Sequence, residues 1–85
     1  RRSGIGKEMF QSLLRIQDGK CAVCSTLLKG GQVHADHDHD TKTPRGLLCR
    51  FCNVTEGMIK KVGLTPLGFA ERLQQYLDNP PVSRL

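Results

Sequence analysis

The 85-residue sequence contains no tryptophan, one tyrosine and three phenylalanines, so it can bury little aromatic surface. It has no run of 18 apolar residues, so the sequence predicts no membrane-spanning helix. The length suits one domain and is too short for a TIM barrel or for a nucleotide-binding fold with a separate substrate domain. A domain of this size buries only about 60–65% of its unfolded surface. We therefore expect a disulfide, a metal or a partner chain to stabilise it.

No apolar segment follows Arg1 and Arg2, so the sequence predicts no export signal. We therefore expect a reducing, cytoplasmic environment. The first residue is not methionine, which indicates a processed product or a trimmed chain.

The four cysteines form two pairs with the spacing Cys-x2-Cys, namely Cys21 with Cys24 and Cys49 with Cys52. Each pair can direct two sulfur atoms at one centre, and two pairs complete a tetrahedron around zinc. In a reducing compartment this spacing favours zinc over two redox pairs or a crossed disulfide framework. Four thiolates leave no open coordination position, so we predict a structural Zn²⁺ that holds the fold.

The hydrophobic pattern predicts a hairpin between the cysteine pairs, with helices on either side. Residues 7–18 place apolar side chains on one helical face and stop before Gly19. The segments 32–37 and 45–49 are predicted strands. The fold class is therefore α+β, a small zinc-stapled single domain over residues 1–85.

Two more helices are predicted after the second cysteine pair. The first covers residues 53–61, and the second begins at Pro66, after an N-cap at Thr65, and ends near Asp78. We expect their apolar faces to point inward; the residues of these faces are Met58, Ile59, Phe69, Leu73, Tyr76 and Leu77.

Histidine and aspartate are concentrated in the predicted hairpin. The segment from His34 to Asp40 holds all three histidines and three of the five aspartates. Carboxylates and imidazoles are ligands of divalent cations. An imidazole beside a bound cation can also take a proton from water near neutral pH. The alternatives are a solvated, charged hairpin and a metal site without catalysis.

Three motifs carry a resemblance to a known family: His34-Ala-Asp-His-Asp-His39, Arg45-Gly-Leu-Leu-Cys49, and Cys52-Asn53 followed by Glu56-Gly57. In this order they resemble the phage recombination endonuclease VII group of the HNH, or ββα-metal, nucleases. The resemblance covers roughly Leu14 to Tyr76. It implies a ββα-metal core, in which a hairpin and a helix hold one catalytic cation beside the four-cysteine zinc site and flanking helices.

The resemblance also implies roles for individual residues. Asp36 and Asn53 would bind the catalytic cation, Mg²⁺ or Mn²⁺, although many HNH nucleases have histidine at the position of Asn53. His37 would be the general base that deprotonates the attacking water. Two further residues, His39 and Glu56, match family positions near the scissile phosphate or the metal.

Arg45 has the charge and the loop position to contact phosphate. One geometric difficulty concerns the strand that carries Asp36 and His37, since neighbouring side chains of a regular strand point to opposite faces. The chain must depart from regular geometry if both serve one site. Otherwise the same-face pairs, His37 with His39 or Asp36 with Asp38, are better candidates.

The formal net charge of +5 favours a polyanionic partner. Four zinc-bound thiolates and the ion would reduce it to about +3. The basic residues are scattered, and the sequence shows no helix-turn-helix and no stacking platform, so we predict DNA contacts of weak sequence specificity.

The leading hypothesis is a metal-dependent DNA endonuclease that nicks or cuts DNA in a bacterial or phage-infected cell. The resemblance leaves open a homodimer and an activity on branched DNA junctions. The competing hypotheses are a zinc ribbon that binds nucleic acid without catalysis and a fragment of a larger homing or restriction enzyme.

Overall fold

The computed structural model describes residues 5–85 and contains three α-helices and a two-stranded antiparallel sheet. In chain order the elements are α1 (Lys7–Ile16), β1 (Val33–His37), β2 (Pro44–Cys49), α2 (Arg50–Lys61) and α3 (Pro66–Asp78), with short 3₁₀ turns at Gly30–Gln32 and Pro81–Arg84. The predicted α+β class and its hairpin are confirmed. No helix among the described residues combines the length and apolar character that a bilayer crossing needs.

The contacts divide the chain into two compact units, the first ending at Val54 and the second formed by Thr55–Leu85. The boundary falls inside α2. A single domain over residues 1–85 stays a prediction.

Helix α1 ends at Ile16, two residues before the predicted end, because the chain reverses there. Asp18 and Gly19 have positive φ angles of 58° and 69°. The N–H of Gly19 donates to the carbonyl of Leu14 at 2.8 Å, which closes the last turn. This reversal leads directly into the first cysteine pair.

The register of the hairpin shifts at one point. Asp36 lies opposite Gly46, but the next residue, His37, lies opposite Pro44, so Arg45 is an extra residue in β2. Such a bulge bends the strand and changes the direction of its side chains.

The loop between the strands is closed by Asp38, whose Oδ1 accepts the N–H groups of Asp40 at 2.8 Å and Thr41 at 3.0 Å. The carbonyl of Asp38 accepts from the N–H of Lys42 at 2.7 Å. Asp38 therefore shapes the turn, as aspartates often do.

The buried core of the described residues is small and consists of Cys21, Leu47, Leu48 and Cys52. Leu48 packs in one cluster with both of these cysteines, and Leu28 and Cys49 cover the cluster from the side. The side chains of Cys21 and Cys52 are therefore part of the interior of the first unit, whereas Cys24 is exposed.

The second unit differs from the prediction in its packing. Helix α3 has the predicted bounds, and Thr65 caps it by accepting the N–H of Gly68 at 3.0 Å. The predicted inward face is wrong at Met58, Leu73, Tyr76 and Leu77, whose exposed fractions lie between 45% and 62%. Two helical segments and a short 3₁₀ turn provide no further layer to enclose an apolar stripe.

Candidate metal centre and catalytic residues

The four cysteines come together from three elements. Cys21 and Cys24 lie in the turn after α1, Cys49 ends β2, and Cys52 lies in the first turn of α2. The turn of the first pair is closed by the N–H of Ser25, which donates to the Cys21 carbonyl at 3.0 Å with a φ of 67° at Ser25. Helix α2 begins three residues earlier than predicted, and this brings Cys52 back toward the end of the strand.

The sulfur geometry fits a tetrahedral metal. All four Sγ atoms lie within 4.8 Å of one another, and those of Cys24 and Cys49 are 3.7 Å apart. A tetrahedron with Zn–S bonds of about 2.3 Å has S–S edges of about 3.8 Å. All four cysteines are free thiols. They are positioned to bind a metal such as zinc.

The thiols share one electrostatic environment. Burial acts to raise the pKa of Cys21, but backbone N–H groups around its sulfur bring that pKa down to about 6. A hydrogen bond with the Thr26 side chain lowers the pKa of Cys24. Burial, together with the other three thiols, raises the pKa of Cys52 to about 12. Thiols so close together oppose each other's ionisation, whereas a bound divalent cation favours the thiolate form of all four.

Asp36 and Arg45, two of the predicted site residues, form a two-pronged ion pair. Arg45 Nε donates to Asp36 Oδ2 at 2.7 Å, and Nη2 donates to Oδ1 at 3.0 Å. The Asp36 side chain is 13% exposed, whereas that of Arg45 is 41% exposed. Arg45 is the extra residue of the bulge in β2, and its side chain pairs with the carboxylate of Asp36 across the hairpin.

The histidines of the hairpin form a second group. The rings of His37 and His39 stack, with centroids 5.9 Å apart and planes inclined by 20°. Nδ1 of His37 and Nε2 of His34 are buried without a hydrogen-bond partner among the described residues. Buried polar atoms of this kind are uncommon and suit a site that receives a donor or acceptor from outside the chain.

The other two predicted site residues lie on α2. Asn53 is half-buried in the first turn and belongs to the first unit, whereas the half-buried Glu56 belongs to the second unit. Their roles stay predictions.

No sequence signal indicates the role of Gln17. Its side-chain Nε2 donates to the carbonyls of Lys20 at 2.8 Å and Leu47 at 2.9 Å, and its Oε1 accepts the Leu47 N–H at 2.9 Å. A Cβ added to the buried Gly46 would lie 3.2 Å from this Oε1. Gln17 thus fixes β2 directly after the bulge.

Together these features define a small α+β metal-binding domain with a histidine- and aspartate-rich hairpin. The sequence matches the profile of recombination endonuclease VII over residues 1–79. The chain belongs to the recombination endonuclease VII family.

Two phage proteins are similar to the chain. One is the Gene 59 protein of Mycobacterium phage L5, which is 35% identical over 80 residues, covering 92% of this chain and 46% of the phage protein. The other is the Gene 59 protein of Mycobacterium phage D29, which is 39% identical over 79 residues with the same two coverages. The chain therefore spans about half the length of these curated relatives.

Proposed function

We propose that the chain is the catalytic domain of a metal-dependent DNA endonuclease of the HNH type. The observation that carries the proposal is the match to recombination endonuclease VII over residues 1–79, a span that includes the cysteine cluster and the hairpin. The element order β1–β2–α2 is also the order of a ββα unit.

The geometry of the hairpin supports Asp36 and His37 as members of one site. A regular strand would direct them to opposite faces. The ladder is irregular between these two residues, where the partner strand β2 contributes the extra residue Arg45. Asp36 is a largely buried carboxylate, and His37 carries a buried Nδ1 without a partner. A carboxylate next to an imidazole is a suitable donor set for a divalent cation and a proton acceptor.

Hydrolysis of a phosphodiester needs an activated water, charge neutralisation at the phosphate and stabilisation of the leaving oxygen. A Mg²⁺ or Mn²⁺ ion held by Asp36 and Asn53 would polarise the phosphate and stabilise the leaving group. His37 accepts the proton of the attacking water, and the stacked ring of His39 restricts the orientation of His37. Arg45 binds a phosphate oxygen. Glu56 acts near the metal or the phosphate.

The four-cysteine cluster has a separate, structural role in this proposal. Four thiolates complete the coordination of Zn²⁺, so the ion cannot accept substrate. It holds the start of α2, and with it Asn53, next to the end of β2.

We further propose that the substrate is DNA, that branched junctions are among its targets, and that the complete protein acts as a dimer in the cytoplasm. The family supports DNA as substrate. The chain spans 46% of its phage relatives, so selection of junctions would involve residues outside these 85.

The test is cleavage of a supercoiled plasmid by the zinc-loaded chain. We expect nicking with added Mg²⁺ or Mn²⁺, no nicking after the added cation is chelated, and recovery when it is restored. Zinc content is measured in each sample, so that loss of the structural ion is not mistaken for loss of the catalytic one.

Asp36→Asn and Asp40→Asn form a matched pair for this test. Both remove one carboxylate from the same hairpin, but Asp40 lies on the exposed turn. We expect a loss of about 10²-fold or more for Asp36→Asn and near-normal cleavage for Asp40→Asn. DNA binding without cleavage under all cation conditions would instead favour the zinc ribbon without catalysis.

A further inference from the structure

The ion pair between Asp36 and Arg45 competes with the proposed roles of both residues. Both carboxylate oxygens accept from one guanidinium, at 2.7 and 3.0 Å. Each oxygen keeps a second lone pair, but a cation there would meet the positive charge of the guanidinium, so the cation binds better when these N–H groups withdraw. The same N–H groups must also leave Asp36 before they can bind a phosphate.

The backbone around Arg45 is fixed, so this exchange is confined to its side chain. The residue after Arg45 is Gly46, which is buried against Gln17, and the backbone of Leu47 is hydrogen-bonded to the same glutamine. The Arg45 side chain is 41% exposed, whereas Asp36 is 13% exposed. Of the two partners, the guanidinium is therefore the more accessible to solvent and to a DNA phosphate.

We propose that Arg45 is a latch on Asp36: it occupies the carboxylate in the DNA-free protein, and a DNA phosphate draws it away, so that DNA and the catalytic cation bind cooperatively. This inference rests on the proposed function, because it requires a cation at Asp36 and DNA at Arg45.

The exchange of partners is electrostatically balanced. A guanidinium forms two-pronged hydrogen bonds with phosphate as well as with carboxylate, so Arg45 replaces one anion by another. The cation then meets a carboxylate without an adjacent positive charge. By linkage, the factor by which DNA raises the affinity for the cation equals the factor by which the cation raises the affinity for DNA.

The first experiment measures Mn²⁺ binding to the zinc-loaded, DNA-free chain by titration calorimetry. Binding to Asp36→Asn provides the background from other sites. Arg45→Lys keeps the positive charge but loses the planar fork. Lys42→Gln is the control, because it removes a charge from the same hairpin and leaves the ion pair intact. Zinc content and circular dichroism confirm that each variant is folded.

We expect Arg45→Lys to bind Mn²⁺ about 5- to 20-fold more tightly than the unmodified chain, at the lower end of typical coupling factors. Lys42→Gln should stay within about twofold, since exposed charges at a distance are screened. Equal affinities for Arg45→Lys and the unmodified chain would overturn the latch. An equal gain for Lys42→Gln would also overturn it, because the gain would then not depend on the ion pair between Arg45 and Asp36.

The second experiment repeats the titration with a short DNA duplex, in a His37→Ala background that prevents cleavage. DNA should raise the affinity for Mn²⁺, and the gain should be smaller when Arg45→Lys is added. If DNA raises the Mn²⁺ affinity by the same factor with and without Arg45→Lys, the latch is overturned. If Arg45→Lys and the unmodified chain bind Mn²⁺ equally and the unmodified chain cleaves plasmid, the latch is excluded and the endonuclease stands. If the chain neither binds Mn²⁺ above background nor cleaves plasmid, the latch and the endonuclease are both excluded.

Discussion

The side chain of Gln17 pairs with the backbone of Leu47 in the way that a neighbouring strand would. It donates to the Leu47 carbonyl and accepts the Leu47 N–H, each at 2.9 Å. Leu47 is the residue with a fully enclosed side chain among those described, at 0% exposure. The end of α1 is therefore joined to the strand that carries the bulge and Arg45.

Replacement of Gln17 by alanine should destabilise the domain. The change removes three hydrogen bonds, two of them to partly buried backbone groups, and we expect a loss of about 2–3 kcal/mol in the free energy of unfolding. Urea denaturation of the zinc-loaded chain measures this loss. Gln11→Ala, on an exposed position of the same helix, is the control and should change stability by less than about 0.5 kcal/mol. Equal effects for the two variants would show that the Gln17 hydrogen bonds contribute little.

Alanine at Gly46 should be poorly tolerated while Gln17 is present. The added Cβ would lie 3.2 Å from Gln17 Oε1, so the Gln17 side chain must shift. We expect a loss of about 1–2 kcal/mol in the free energy of unfolding. When Gln17→Ala is already present, the same change should have a much smaller effect, because the opposing atom is gone. Denaturation of the four proteins of this double-mutant cycle measures the coupling. Strict additivity would contradict a contact between these two residues.

Serine in place of Cys49 should unfold the first unit. Serine is a poor zinc ligand, and structural zinc contributes about 10–16 kcal/mol to the folding of small zinc-binding peptides, as much as the whole stability of a domain. Elemental analysis should give one zinc per chain before the substitution and none after it, with loss of structure by circular dichroism. Ser25→Ala, in the turn of the other pair, should keep its zinc. A folded, metal-free Cys49→Ser protein would contradict the structural role of the ion.

Alanine at His37 should abolish plasmid cleavage and leave the fold and the zinc content unchanged. Loss of a general base typically lowers the rate by about 10²–10⁴-fold. His39→Ala should reduce cleavage less, because His39 contacts the ring of His37 and does not itself take the proton. Initial nicking rates at saturating Mg²⁺ measure both effects. Near-normal cleavage by His37→Ala would exclude this residue as the base.

The parts of the fold that follow from local chemistry could be predicted from the sequence. Thr65 before a proline marks the start of α3, Gly19 marks the reversal after α1, and the cysteine spacing predicts one cluster. Each of these signals depends on a few adjacent residues.

The contacts between distant residues could not be predicted in this way. The partner of Gln17 is 30 residues away, and that of Asp36 is nine residues away across a bulge. Hydrophobic spacing indicates the apolar face of α3 but not whether another layer covers it. The predicted core position of Leu73 is therefore wrong, since this side chain is exposed.

Two of the four core side chains, Cys21 and Cys52, are also members of the metal-binding cluster. We therefore expect a newly made chain to acquire its interior and its ion in one event. Until that event, the hairpin lacks the support that brings the proposed cutting residues together. The zinc-free chain would not cleave DNA and would be sensitive to proteases. The supply of zinc would therefore determine what fraction of the chain folds into the active form.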